Sequence, residues 1–295
     1  KLADLLPRLP CSFSCMKGCK GVGDKSPNQD NFSAVKFKTK GGWEVYCLMD
    51  GHGAGGHFIT HRGVQVLPYY LHSSDYFPDQ MENAVQDAFQ MTQQDLVAHA
   101  LEHDYDIQAS GCATVMCIRR GDDLYTAHAG DSRLVVGYEG DRALHFETCD
   151  HKPNVPEEQK RIEDNGGEVR EFRYDDDDLA GEELIVYRVF VKETDFPGMC
   201  MARSLGDESV KQHGVVAEAE VHHIKLDLTN KPFIFLASDG VWEFLPSDWV
   251  IKAIVKKLGE EPAAKVVQKI AKEAKRKWRQ EEGDYCDDIT GLLVL

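Results

Sequence analysis

The stretch Trp43-Glu44-Val45-Tyr46-Cys47-Leu48-Met49-Asp50-Gly51-His52-Gly53 sets the frame for the rest of the chain. From Trp43 to Met49 it is apolar at every position but Glu44, the pattern of a strand buried on both faces, and it then runs straight into Asp-Gly-His-Gly. Gly51 and Gly53 around His52 keep the chain tight and let a backbone carbonyl approach a cation, where a side chain would obstruct it.

The same arrangement, an aspartate at the end of an apolar run or just before one, recurs at Gln29-Asp30-Asn31, Gly130-Asp131-Ser132, Ser238-Asp239-Gly240 and Cys286-Asp287-Asp288. One such case is an ordinary turn signal. Repeated along the chain, it predicts several carboxylates at one edge of a sheet, where they repel unless protons or cations neutralise them. The candidate ligands are hard oxygens with few histidines among them, which selects Mg²⁺ or Mn²⁺ over zinc or copper. Two such ions roughly 3.5 to 4 Å apart lower the pKa of a bridging water and clamp a phosphoryl group for in-line attack.

Working outward, further strands are predicted at 31–37, 111–118, 122–129, 133–138, 233–237 and 289–295. A helix from about Asp79 to His103 places Met81, Val85, Ala88, Phe89, Leu96, Ala100 and Leu101 on one face. Others start at Asn154 and Pro156, at Ser247 and Asp248, and at Pro262, the last running to about Gln280 with Val267, Ile270, Ala274 and Trp278 inward. Strand runs with helices set between them favour an α+β layered fold. No repeat or linker divides the chain, so residues 1–295 read as a single domain, with 1–17 as an N-terminal extension. Residues 169–200 fit no regular element and carry Asp175 to Asp178, either a surface loop or a flap beside a site that selects basic peptides.

The 34 lysines and arginines against 50 aspartates and glutamates give a formal charge of −16, which argues against nucleic acid as a partner. No run approaches the roughly 18 apolar residues of a membrane span. The nine cysteines are odd in number and scattered, which suits a reducing compartment; the Cys11, Cys15, Cys19 cluster lacks zinc-site spacing. A cytoplasmic or nuclear location is expected. The basic stretch Lys272 to Arg279 reads as the solvated face of the last helix, with a nuclear signal as the alternative. A cysteine-based phosphatase is excluded because no cysteine has an arginine six residues on, and no P-loop occurs.

The ordered segments Asp50-Gly51-His52-Gly53, Ala129-Gly130-Asp131-Ser132-Arg133, Asp150-His151-Lys152-Pro153, Ala202-Arg203-Ser204-Leu205-Gly206-Asp207, Ala237-Ser238-Asp239-Gly240-Val241-Trp242 and Asp287-Asp288-Ile289-Thr290 resemble the motif series of the protein phosphatase 2C family. The likeness runs from about Gly18 to the C-terminus, and Asn28-Gln29-Asp30 with Asp195-Phe196-Pro197-Gly198 resembles the plant and protist branches. It implies a four-layer αββα sandwich, two central antiparallel sheets flanked by helices, and hydrolysis of phosphoserine and phosphothreonine in phosphoprotein substrates by a monomer. It also implies that Asp50 bridges two metals, that Gly51 offers its carbonyl, that Asp239 and Asp287 hold the second ion, and that Asp30 acts through water. His52 would be the general acid, Asp131 a ligand of a weaker third metal, and Glu243 would stand where the family's aspartate reaches that ion. The family's phosphate-binding arginine has no counterpart between Arg8 and Asp30, which leaves Lys20 or Lys25 for the phosphate. Gln29 removes a charge beside the metals and Asp288 adds one. A catalytically silent binding module and a small-molecule phosphoesterase on the same fold are the alternatives.

Overall fold

The computed structural model describes residues 9–174 and 184–295. In chain order the first half holds β1 (Cys11–Met16), β2 (Cys19–Lys20), β3 (Asn31–Lys36), β4 (Glu44–His52), α1 (Gly56–Ser73), α2 (Met81–His103), β5 (Gly111–Arg120), β6 (Asp123–Ala129), β7 (Arg133–Tyr138) and β8 (Asp141–Glu147). The second half holds α3 (Pro156–Asp164), β9 (Gly167–Tyr174), β10 (Leu184–Val191), β11 (Pro197–Met199), β12 (Leu205–Gly206), α4 (Glu208–Lys211) and β13 (Glu220–Lys225). It closes with β14 (Pro232–Ala237), α5 (Asp239–Trp242), α6 (Ser247–Lys257), α7 (Ala263–Glu281), β15 (Tyr285–Cys286) and β16 (Ile289–Val294).

Alternation along the apolar strands builds the layers. On β4, Val45, Cys47 and Met49 pack toward α1 and α2, while Tyr46 and Leu48 face a second sheet. On β14, Phe233, Phe235 and Ala237 pack under α6 and α7, while Ile234 and Leu236 face the first sheet. Both faces are covered, which is why these antiparallel strands read as unbroken apolar runs. The two central sheets have strand orders β13-β6-β5-β4-β3, with β12 beside β5, and β1-β16-β14-β7-β8. The result is the expected α+β sandwich, helices on both outer faces.

Several elements differ from the sequence expectation. Helix α1 was not predicted: Gly56, Gly63 and Pro68 interrupt its pattern, yet Ile59, Gly63, Leu67 and Leu71 recur at helical spacing on its buried face. A Cβ at Gly63 would lie 2.5 Å from Met49 Sδ, so the helix seats directly on β4. The segment assigned to an N-terminal extension supplies β1, which pairs antiparallel with β16 from Cys11↔Val294 to Met16↔Ile289. Residues expected to be irregular from 169 to 200 instead include a three-stranded sheet, β11-β10-β9. Val169, Val189 and Met199 of that sheet pack with Ile162 of α3 and Val210 of α4. Asp175 to Asp178 lie outside the described residues. Leu101, expected on the buried face of α2, is 79% exposed, because that face runs through Leu96 and Ala100 and the helical rotation of about 100° per residue carries Leu101 round to the solvent side.

Candidate active site

Strand register carries the five aspartates to one edge of the sandwich. In the first sheet Asn31 pairs with Met49, Met49 with Thr114, and Thr114 with Ala129, so Asp30, Asp50 and the Gly130-Asp131-Ser132 link stand in line. In the second, Ala237 pairs with both Arg133 and Gly291, which puts Asp239 and Asp287 at the corresponding ends. Strand β4 runs on through Asp50, Gly51 and His52, so the turn comes at Gly53, where φ is +76°. A Cβ on Gly51 would lie 2.8 Å from the carbonyl oxygens of both Gln29 and Gly56, so only glycine fits there.

The carboxylates crowd as the repulsion argument requires. Burial pushes the Asp50 carboxyl well above the ordinary carboxylate range, and the charges of Asp239, Asp30, Asp287 and Asp131 add to it. Asp239 is raised in the same way, by burial and then by Asp131 and Asp287. Asp30 is pushed up to about 7 by burial, with Asp288 and Asp287 contributing, although Ser238 Oγ donates to its Oδ2 at 2.9 Å. Oδ1 of Asp30, of Asp131 and of Asp239 are each buried with no hydrogen-bond partner. Orphaned, negatively charged oxygens in one place are a donor set suited to hard divalent cations.

Lysines partly offset this charge. Lys152 Nζ donates to Asp131 Oδ2 at 2.7 Å. Lys20, on β2 opposite Tyr285 of β15, forms an ion pair with Asp287 and lies over the Tyr285 ring. Lys25 is exposed and does not appear among the residues lining the cleft, whereas Lys20 does. The cleft has a volume of about 420 Å³, and Asp50, His52, His57, Met201, Asp239 and Asp287 also line it. Glu243 follows α5, its N–H bonded to the Asp239 carbonyl at 2.8 Å, within electrostatic reach of Lys152 and Asp131.

His52 Nε2 lies 2.9 Å from both carboxylate oxygens of Asp207, a residue 155 positions away. Burial alone would lower the imidazole pKa, but the charge and hydrogen bond of Asp207, with Asp131 behind, outweigh it and raise the pKa. The other ring nitrogen, Nδ1, has no partner. Sequence reasoning gave Asp207 no role. The segment Ala202–Asp207 was its one signal, and nothing local says where that carboxylate points.

Two further contacts reassign residues read from sequence. Asp288 accepts the backbone N–H groups of Gly18 at 2.7 Å and of Gln29 at 2.8 Å, so its charge ties two chain segments together beside the centre. Gln29 Nε2 donates to the Gly53 carbonyl at 2.7 Å and braces the turn after His52. A separate trio, His128, His151 and Glu220, brings ligand-type atoms within 4.8 Å of one another. His151 Nδ1 there accepts the Gly130 N–H at 3.2 Å and Nε2 faces Glu220 Oε2 at 3.3 Å, so the trio holds the loop that carries Asp131.

A family model for protein phosphatase 2C matches residues 15–283. A probable protein phosphatase 2C 73 of Arabidopsis thaliana is 31% identical over 301 residues, covering 92% of this chain and 76% of its own. A probable protein phosphatase 2C 34 of the same plant is 31% identical over 293 residues, covering 92% and 78%. Among solved structures, the serine-threonine phosphatase 2C of Toxoplasma gondii aligns with a TM-score of 0.75 at 20% identity, covering 98% of this chain and 96% of that one. A C. elegans sex determining protein aligns with a TM-score of 0.74 at 17% identity, covering 98% and 65%. These two likenesses speak for the fold. Fold and relatives together define a protein phosphatase. The chain belongs to the protein phosphatase 2C family and is a serine/threonine protein phosphatase, a metal-binding hydrolase whose substrates are phosphoproteins. No helix among the described residues is long and apolar enough to cross a membrane.

Proposed function

We propose that this phosphatase works with two Mg²⁺ or Mn²⁺ ions at the strand edge and with His52 as the general acid. The observation that carries the reading is the set of buried, unpartnered carboxylate oxygens on Asp30, Asp131 and Asp239 beside the strongly raised Asp50. Asp50, the Gly51 carbonyl, Asp239 and Asp287 would hold the two core ions, Asp30 would act through water, and Asp131 with Glu243 would serve a weaker third. When bound, such ions supply an activated water and neutralise the phosphoryl oxygens.

The protein's own groups do the remaining work. Nε2 of His52 is committed to Asp207, which stabilises the imidazolium, so Nδ1, buried and without a partner in the unliganded protein, would be the nitrogen that protonates the departing serine or threonine oxygen. Lys20 reaches the cleft from β2 and would meet the substrate phosphate as a point charge, exchanging its present bond to Asp287.

Hydrolysis of a phosphothreonine peptide tests this. The rate should vanish in excess chelator, return with Mg²⁺ or Mn²⁺, and fall by at least about 10²-fold in Asp50→Asn and in Asp239→Asn with the fold intact by circular dichroism. Full activity in excess chelator would falsify the reading.

A further inference from the structure

We propose that Lys211 is a positioning residue for His52, acting through Ser204 and Asp207, so that a buried hydrogen-bond chain sets the orientation of the general acid. The proposal rests on the reading of His52 given above.

Lys211 is the last residue of α4, and its Nζ donates to the Ser204 carbonyl at 2.7 Å and to Ser204 Oγ at 3.0 Å. Ser204 is fully buried and donates its hydroxyl proton to Asp207 Oδ2 at 2.6 Å. A hydroxyl has one proton, and an ammonium cannot accept it. With Lys211 filling a lone pair of Oγ, the proton is directed at Asp207. Asp207 then holds His52 Nε2 with both oxygens at 2.9 Å.

The loop around this chain is fixed on several sides. Asp207 adopts a left-handed conformation with φ of 48°, its N–H bonded to the Ser110 carbonyl at 2.9 Å. A Cβ on Gly111 would lie 2.0 Å from Asp207 Oδ2, so the carboxylate fills the space a side chain there would take. Gln93 of α2 brackets Gly206, accepting its N–H at 2.7 Å and donating to its carbonyl at 3.1 Å. Lys211 lines no part of the catalytic cleft; with Gln93 and Glu208 it lines a separate groove of about 690 Å³. Its ammonium is therefore set apart from the cleft that would hold the reacting phosphate.

Charge supports the same role. Lys211 faces Asp207, Glu208 and the Cys112 thiol, while His52 faces Asp207, Asp131 and Lys211. Asp207 is 2% exposed, and against the effect of burial its carboxylate is held below its ordinary pKa by the charge and bond of His52, the charge of Lys211 and the Ser204 hydroxyl. Removing the ammonium frees the Ser204 hydroxyl to rotate and takes away the positive charge of Lys211 that faces Asp207. The imidazole then loses its fixed aim.

The test uses kcat on a phosphothreonine peptide and on p-nitrophenyl phosphate, whose leaving group needs little protonation. Lys211→Met should lower kcat on the peptide by about 10 to 100-fold and on the aryl ester much less, with Mn²⁺ affinity unchanged. Ser204→Ala should repeat that split. In a His52→Gln background, Lys211→Met should cost nothing further, since the residues act as one unit. Equal losses on the two substrates, or an undiminished loss on top of His52→Gln, would overturn the proposal and leave His52 standing. If His52→Gln itself costs the same on both substrates, the general-acid reading fails, and the proposal falls with it.

Discussion

Glu158, near the start of α3, is 2% exposed, and its oxygens accept hydrogen bonds from Nε and Nη2 of Arg203 and from Nη2 of Arg161. Arg161 also donates to the Ala202 carbonyl at 2.8 Å, so this carboxylate anchors the start of the segment that delivers Ser204 and Asp207. Burial would raise its pKa, but the two guanidiniums outweigh burial and bring it down to about 2. A pKa depressed on folding means stability that is present above the unfolded value and is lost as pH falls through the folded one. From an ordinary 4.5 to about 2 the ceiling is ~3 kcal/mol. Urea unfolding should therefore show Glu158→Gln destabilised at pH 7, with its gap to wild type shrinking toward pH 3. A gap of the same size at both pH values would mean that packing, not ion pairing, is what the carboxylate contributes.

At the scale of elements, β4 and α1 meet at a junction with no room. Gly51 lies against the carbonyls of Gln29 and Gly56, backbone atoms that cannot swing aside, whereas a Cβ at Gly140 would meet nothing within 4 Å. Gly51→Ala should cost about 1 to 3 kcal/mol in chemical denaturation and Gly140→Ala well under 1. Equal effects would show that the junction yields. The same junction separates what sequence could reveal from what it could not. Strand β4 was readable because burial on both faces leaves an unbroken apolar run, and Asp50-Gly51-His52 because its chemistry is contiguous. Helix α1 was hidden by glycines and Pro68, whose low propensity is overridden by packing on Met49. Strand β10, Leu184 to Val191, is apolar apart from Arg188, but the neighbouring acidic residues made the whole region read as loop. The aspartates at strand ends announced themselves locally. The His52–Asp207 pair and the Lys211–Ser204 bonds did not, since their geometry exists only once β5, β12 and α4 have packed.

Across the whole molecule, the acidic edge is where the two central sheets meet. Asp30 and Asp50 belong to one sheet and Asp239 and Asp287 to the other, and the Gly130-Asp131-Ser132 link crosses between them. In the metal-free protein Asp30, Asp50 and Asp239 are held above their ordinary pKa, chiefly by burial, so at these groups the folded state binds protons more tightly than the unfolded chain does. Stability in chelator is then greatest at low pH within this window and falls as pH rises from about 4 through 7, opposite in sign to the Glu158 contribution. Divalent cations bound to the folded state alone should restore it by mass action. The melting temperature in chelator should drop between pH 5.5 and 7.5, and excess Mn²⁺ should remove most of that drop. A sharper consequence follows for Asp239→Asn, which deletes one buried charge while keeping the side chain's shape. At pH 7.5 in chelator this inactive variant should melt higher than wild type, and with Mn²⁺ the order should reverse, because wild type gains the ions and the variant binds them poorly. If the variant melts lower than wild type in both conditions, repulsion between the sheets is not what limits the metal-free fold.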